Sequence, residues 1–567
     1  MIRDFKWENF PLEACRIVNS EDDMQDIAAI SLKGIKPHSL SHTPQQDPLA
    51  LLCAADRDRF YRFGWGPAET PRFPTIINAI LHQMRMQPNA IAATCGSEEI
   101  TYSALDAASN RLANVMRSYG VARGDVVCLY LRRSLEMLVG IVATMKLGAA
   151  YAPQHVGVAP PEVLRHVAGI TEATVILTLS DLADDVPVTP QQTLISIDPV
   201  MYDPALDDSL PARDTYAPAP DDRAILLFTS GTTGVPNGVQ VTHKNLANIL
   251  LTAPGDMGMR PGRKVGQILS IAFDMAAWET LGALANGATL VIRGKSIQET
   301  AEKVDVLIST PSILNSLDAS RCQQVKVAAV AGEPCPRPLA DLWSSFCTFH
   351  NSCGPTETTI INTAEPHHPD KAVLSIGRPT PNNTVYVLDE DLMPLPIGAK
   401  GVMWAGGDCV TLGYLANPDL TADRYRPDPF RPGHMMFNTR DLGRWTDTGE
   451  LEHFGRVDDL VKIRGFRVEL DGVSTALEQS DCCAQAVTLK YDNRTLVSFI
   501  SPATACPKKA AAEVKARLAY YCSPELILPL ATLPRTPRGK LDKRLLLQMA
   551  EQHLAGNTPT NMTDATQ

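Results

Sequence analysis

The sequence predicts an α/β protein: a large N-terminal domain of parallel α/β sheets with a β-rich subdomain, followed by a small α+β C-terminal domain. Three observations predict this. A chain of 567 residues is longer than one hydrophobic core usually serves, so more than one domain is expected. Between residues 126 and 330, short apolar runs alternate with segments of helical spacing, the pattern of strand-helix-strand units with parallel strands. Beyond about residue 375 the pattern becomes short strands and turns, and from about residue 458 it becomes short strands with two helices.

Taken in order, residues 1–70 mix charges, prolines and brief apolar pieces and read as an extension or linker. A core domain is expected over 71–457. Within it, helices are predicted at 76–86, 103–119, 134–147, 276–285 and 312–317, with Gly148 and Gly287 as stop signals. Strands are predicted at 99–102, 126–131, 174–178, 265–272, 289–292, 305–309 and 325–330, and in the β-rich part at 384–388, 394–398 and 402–405. The C-terminal domain, 458–550, carries strands at 460–463, 486–490 and 496–500 and helices at 473–479 and 510–519. Residues 551–567, rich in Thr, Asn and Gly, read as a disordered tail.

Composition excludes several classes. A net charge of -11 without a Lys/Arg cluster argues against a nucleic-acid partner. The longest apolar stretch, 138–151, is interrupted by Lys146, so no membrane span is expected, and the first residues lack the apolar region of a secretory signal. Thirteen cysteines, an odd number without a CxxC pair, suggest neither a disulfide framework nor a zinc site, and a reducing cytoplasm is the expected location.

The chemistry concentrates at Leu226-Leu227-Phe228-Thr229-Ser230-Gly231-Thr232-Thr233-Gly234-Val235-Pro236-Asn237-Gly238. A loop of hydroxyl residues and glycines after an apolar run presents many backbone N-H groups, which suits polyphosphate oxygens. It is not GxxxxGK[ST], because nothing basic follows Gly238. By composition alone such a loop is more often an ordinary surface connection. Asp274, in Phe273-Asp274-Met275-Ala276-Ala277-Trp278-Glu279, stands between a strand and a helix, where N-cap duty and ligand binding are both open.

The order of residues adds a resemblance. TSGTTGxPxG resembles the phosphate loop of the adenylate-forming enzymes: acyl-CoA ligases, luciferases and the adenylation domains of nonribosomal peptide synthetases. Asn351-Ser352-Cys353-Gly354-Pro355-Thr356-Glu357 is similar to the family's N-x-Y-G-P-T-E, which implies that Thr356 contacts a phosphate, that Glu357 holds Mg²⁺, and that Cys353 stands where a tyrosine usually stacks on adenine. Asn438-Thr439-Arg440-Asp441-Leu442 resembles Y-x-T-G-D-L, implying that Asp441 accepts from the ribose hydroxyls, with Arg440 replacing a glycine. The long string from Gly455 to Glu469 implies that Arg456 reaches the nucleotide, that Asp458 is the hinge of a mobile small domain, and that the Gly465 loop lines a thioester-forming state. Pro537-Arg538-Gly539-Lys540-Leu541-Asp542-Lys543 resembles P-x-G-K-x-x-R, making Lys540 the bridge between the substrate carboxylate and the α-phosphate.

Within that family, F-D-x-x-x-W-E is the adenylation-domain form in which the aspartate, here Asp274, pairs with the ammonium of an amino acid. The resemblance then implies a pocket lined by Met275, Trp278, Ser309, Ala329, Ala331, Ser352, Ile360 and Ile361. None is charged, so a large hydrophobic or aromatic amino acid is expected. His155 replaces a usual aspartate in Met145 to His155, and Asn237 a usual lysine. The implied activity is ATP-dependent formation of an aminoacyl-adenylate with Mg²⁺, then transfer to the phosphopantetheine thiol of a carrier domain, either cut away or on another protein. Neither HHxxxDG nor GGxS occurs in the chain. Two alternatives stand beside this reading: a CoA ligase for a non-amino acid, and a binding or scaffolding remnant of the same fold.

Overall fold

Two large sheets carry the molecule, with helices packed between them. In the computed structural model, residues 47–209, 217–230, 235–457, 460–463, 466–535 and 541–556 are described. One sheet has nine strands, in the order Arg378–Pro379, Thr363–Pro366, Thr348–Cys353, Val327–Val330, Val306–Ser309, Lys264–Gln267, Thr289–Ile292, Ile91–Cys95 and Glu98–Thr101. The other has six: Thr193–Ser196, Val175–Thr178, Val126–Leu131, Ala150–His155, Arg223–Thr229 and Asn237–Thr242. From Thr348–Cys353 to Ile91–Cys95 all neighbouring pairs are parallel. The helix Leu135–Lys146, buried along its whole length, touches strands of both sheets, as an all-round apolar helix must. Its start is fixed by the Ser134 hydroxyl, which accepts from the Met137 amide at 3.2 Å. Its end is fixed by Gly148 in the left-handed region (φ +68°).

A five-stranded antiparallel sheet follows, built on Asn383–Leu388, Gly401–Gly407, Met435–Trp445 and Tyr425–Pro427, with Leu451–Arg456 paired to Met435–Trp445. The C-terminal stretch holds the hairpin Leu460–Ile463/Phe466–Glu469, a three-stranded sheet (Gln485–Lys490, Leu496–Ser501, Leu526–Pro529) and the helices Leu470–Glu478, Pro507–Arg517 and Lys543–Gly556. Its apolar clusters, one around Val468, Val473 and Val514 and one around Phe499, Leu528 and Leu546, are separate from the main core.

The mixed α/β architecture agrees with the sequence reading, and the differences are local. Within the expected extension, Ala54–Gly64 is a helix whose Phe60 stacks on Tyr386 of the five-stranded sheet (5.6 Å between ring centres). The strand expected over 265–272 ends at Gln267 because the amides of Ile268 and Leu269 donate to the buried Glu279 carboxylate rather than to a neighbouring strand. Residues 394–398 form no strand, only a bridge between Leu388 and Pro394. Of the first unit, Met1–Ala50, residues 47–50 are described as a turn, with the Ala50 amide donating to the Asp47 carbonyl.

Candidate active site

The carboxyl ends of Arg223–Thr229, Val327–Val330 and Thr348–Cys353 converge on a cavity of about 530 Å³, the position where open parallel sheets present ligand sites. Its wall includes Thr229, Ser230, Asp274, Met275, Ala331, Ser352, Cys353, Thr356, Ile360, Asp441 and Arg456, so these expected residues, spread over more than two hundred positions, meet in one place. Trp278, Ser309, Ala329 and Ile361 are buried outside that lining. Trp278 Nε1 donates to the Gly255 carbonyl at 2.6 Å, and the Ser309 hydroxyl to the Thr310 carbonyl at 2.7 Å. Gly231 to Gly234, Asp458, Gly465 and Lys540 lie outside the described residues.

Asp274 is the first residue of the helix Asp274–Ala285, not its cap, which is Phe273. Its carboxylate accepts from the Met275 amide at 2.7 Å and from the Thr356 hydroxyl at 2.8 Å. Burial pushes its pKa above the usual carboxylate value, against the Thr356 hydrogen bond and the Lys462 charge. A cation arriving in the cavity would therefore find a carboxylate that gains from pairing.

Glu357 has no exposed surface. Arg467 Nη1 donates to both of its oxygens, at 3.0 and 3.1 Å, and the Tyr414 hydroxyl donates at 2.6 Å. Burial would raise this carboxyl, but Arg467, Arg424 and the Tyr414 hydrogen bond outweigh it and hold its pKa at about 2. Arg467 belongs to the hairpin strand Phe466–Glu469, and its carbonyl accepts from the Ser230 hydroxyl at 3.0 Å. Phe466 adds an edge contact to Phe273 (5.0 Å) and stacks on Tyr521 (3.9 Å). The C-terminal hairpin is thus docked on the cavity. Among the described residues, no group of three or more His, Cys, Asp or Glu is arranged to hold a metal by protein ligands alone.

Asp441 lies on the strand Met435–Trp445. Arg456 Nη1 donates to it at 3.0 Å and His453 stands 3.4 Å away; burial raises its pKa, but His453, Arg456 and Lys462 bring it below the ordinary carboxylate value. Arg440 has φ +59°, the left-handed conformation that favours glycine, and its guanidinium turns to Asp423 (2.8 Å). Burial pushes the Cys353 thiol up to about 12, so it stays neutral. The Asn237 side chain accepts from Asn417 Nδ2 at 3.1 Å. Lys462, His453, Tyr414 and Arg467 were not singled out from the sequence. Lys462 and Arg467 lie inside the 455–469 string, which was the available signal, whereas nothing local marks Tyr414.

Residues 80–415 match the family of AMP-binding enzymes. The chain is 44% identical over 514 residues to adenylate-forming reductase 06235 of Coprinopsis cinerea, covering 89% of this chain and 49% of that protein. It is 34% identical over 518 residues to the phosphinothricin tripeptide synthetase PhsC of Streptomyces viridochromogenes, covering 87% and 47%. The chain spans about half the length of these curated relatives. In fold it is similar to the Vibrio cholerae adenylation domain AlmE, solved with glycyl-adenosine-5'-phosphate (TM-score 0.74, 20% identity, 86% of this chain and 100% of that one). An artificially fused adenylation-PCP di-domain from Klebsiella oxytoca gives a TM-score of 0.72 at 21% identity, covering 85% of this chain and 97% of that one. No helix among the described residues is long and apolar enough to cross a membrane. The chain belongs to the AMP-binding enzyme family, as an adenylate-forming enzyme of the kind found in nonribosomal peptide synthetase adenylation domains.

Proposed function

We propose that this chain activates an amino acid as its aminoacyl-adenylate and then passes the acyl group to a phosphopantetheine thiol on a carrier domain. The observation that carries the reading is Asp274, a half-buried carboxylate at the cavity wall whose desolvation disfavours its charge and which an α-ammonium would relieve. The substrate carboxylate attacks the α-phosphorus of ATP and pyrophosphate leaves. The chain positions the reactants and meets the developing charge, and needs no nucleophile of its own. Thr229, Ser230 and Thr356 would turn hydroxyls to phosphate oxygens once Ser230 leaves the Arg467 carbonyl and Thr356 the Asp274 carboxylate, Asp441 accepts from the ribose hydroxyls with Arg456 beside it, and Lys540 bridges carboxylate and phosphate. Glu357, with phosphate oxygens and waters, suits Mg²⁺, which would neutralise phosphate charge; Arg467 must withdraw first. The docked hairpin therefore fits the transfer half of the cycle, with ATP chemistry requiring its release.

Met275, Ala331, Ser352 and Ile360 give the cavity an uncharged part of its wall, which favours a large hydrophobic or aromatic amino acid, although Glu333 and Lys490 belong to the same lining. ATP-pyrophosphate exchange across the twenty amino acids tests this. A charged amino acid as best substrate, or des-amino acids outperforming amino acids, overturns it.

A second reading comes from relatives named adenylate-forming reductases, to which identity reaches 44% against 34% for the peptide synthetase PhsC. In it, the activated acyl group goes from carrier to a reductase region rather than to a peptide bond, and the acid need not bear an amino group. Exchange activity with carboxylic acids lacking the α-amine selects this reading.

A further inference from the structure

Away from the cavity, two cysteines of the C-terminal sheet region lie against each other. Cys482 sits in the turn between the helix Leu470–Glu478 and the strand Gln485–Lys490; Cys506 is the N-cap of the helix Pro507–Arg517. The Cys506 amide donates to Cys482 Sγ at 3.2 Å, and the same sulfur lies 3.9 Å from the Cys506 carbonyl. Its sulfur is therefore within about 4.7 Å of the Cys506 Cα, one N-Cα bond further on, which is inside the reach of a disulfide half. Both residues are partly exposed and neither is in a disulfide.

The setting also activates the sulfur. The Cys506 amide is one of the donors that a helix N-terminus leaves without an intrahelical acceptor, and it goes to Cys482 Sγ instead; the Ser480 hydroxyl lies 3.3 Å from that sulfur, and Lys508 and Lys509 follow in the helix's first turn. These hydrogen bonds, with the Lys509 charge, lower the Cys482 pKa. Cys483, next in sequence, is buried and its thiol is pushed up instead, so the two neighbours differ in reactivity.

We propose that Cys482 and Cys506 form a peroxide-responsive dithiol, a modification site in which Cys482 is attacked first and Cys506 resolves it. The Cys482 thiolate attacks one oxygen of hydrogen peroxide. The O-O bond breaks, hydroxide leaves and takes a proton to become water, and a sulfenic acid remains. The Cys506 thiolate then attacks the sulfenic sulfur, the S-O bond breaks, the S-S bond forms, and a second water leaves. Two electrons pass from the two thiols to the peroxide. The bond would pin the start of the helix Pro507–Arg517, whose last residue lines the cavity.

The test is a peptide map of the full chain after hydrogen peroxide, with free thiols alkylated before non-reducing digestion. A cross-linked peptide pair joining Cys482 to Cys506, lost in Cys482→Ser and kept in Cys483→Ala, supports the proposal. Cys506→Ser, a substitution suited to an N-cap, should leave a sulfenic acid at Cys482 that dimedone traps. If the untreated-to-treated map of the parent chain shows no such pair, or if the cross-link persists in Cys482→Ser, the proposal is overturned. The parent map decides even if a variant fails to fold.

Discussion

Arg467 and Glu357 are separated by 110 positions in sequence, yet one guanidinium nitrogen donates to both oxygens of that buried carboxylate. The carboxylate proposed for Mg²⁺ is thus held by a cation of the chain's own C-terminal hairpin, and a metal ion there would have to displace it. Arg467→Ala should leave ATP-pyrophosphate exchange nearly unchanged or faster while slowing acyl transfer to pantetheine about tenfold or more, since a hydrogen bond to a charged group contributes roughly 1.5–3 kcal/mol. Equal losses in both half-reactions would show that the pair only supports the fold.

Asp274→Ala should depress exchange with the best amino acid by about a hundredfold and affect its des-amino analogue much less, because only the former brings an ammonium to pair. Removing one partner of a buried ion pair costs roughly 3–5 kcal/mol, which sets the upper end. Parallel losses on both substrates would assign Asp274 to positioning Thr356 instead.

Lys540→Ala should abolish adenylate formation with thermal stability retained, as expected of a group acting on charge that develops only in the transition state. Exchange at the parental rate under saturating ATP would remove Lys540 from the mechanism.

Asn237→Lys should lower the KM for ATP several-fold, by adding a charge-assisted contact to phosphate. The price is the hydrogen bond from Asn417. An unchanged or raised KM would mean that position 237 serves only that link.

Acid should destabilise the fold through two buried histidines. Burial holds His243 and His350 at about 4, below the ordinary 6.5, and neither His243 nitrogen has a partner among the described residues. Between pH 6.5 and about 4 the unfolded chain binds protons that the folded chain refuses, so stability present above pH 6.5 is lost as pH falls through that window. Each contributes at most about 3 kcal/mol. The Tm of the parent should fall between pH 7 and 5, with a shallower slope in His243→Leu; parallel slopes would point to other groups. Glu357 adds its own loss only below about 4.5.

The sequence by itself determined the family and much of the secondary structure. Ile76–Met86, Val126–Leu131, Thr289–Ile292 and Leu460–Ile463 fall where periodicity put them, because the spacing of apolar residues is a local property that each segment carries alone. Motif order brought Thr229, Thr356, Asp441 and Arg456 onto the list of cavity residues without coordinates. Only the tertiary structure decided which pocket candidates line the cavity: Met275, Ala331, Ser352 and Ile360 do, while Trp278, Ser309, Ala329 and Ile361 are buried outside its lining. It alone paired Glu357 with Arg467 and Tyr414, and Asn237 with Asn417. Periodicity reports which face of an element is apolar. It is silent on which distant side chain meets a buried polar group, because that partner is chosen by how the sheets and the C-terminal hairpin pack.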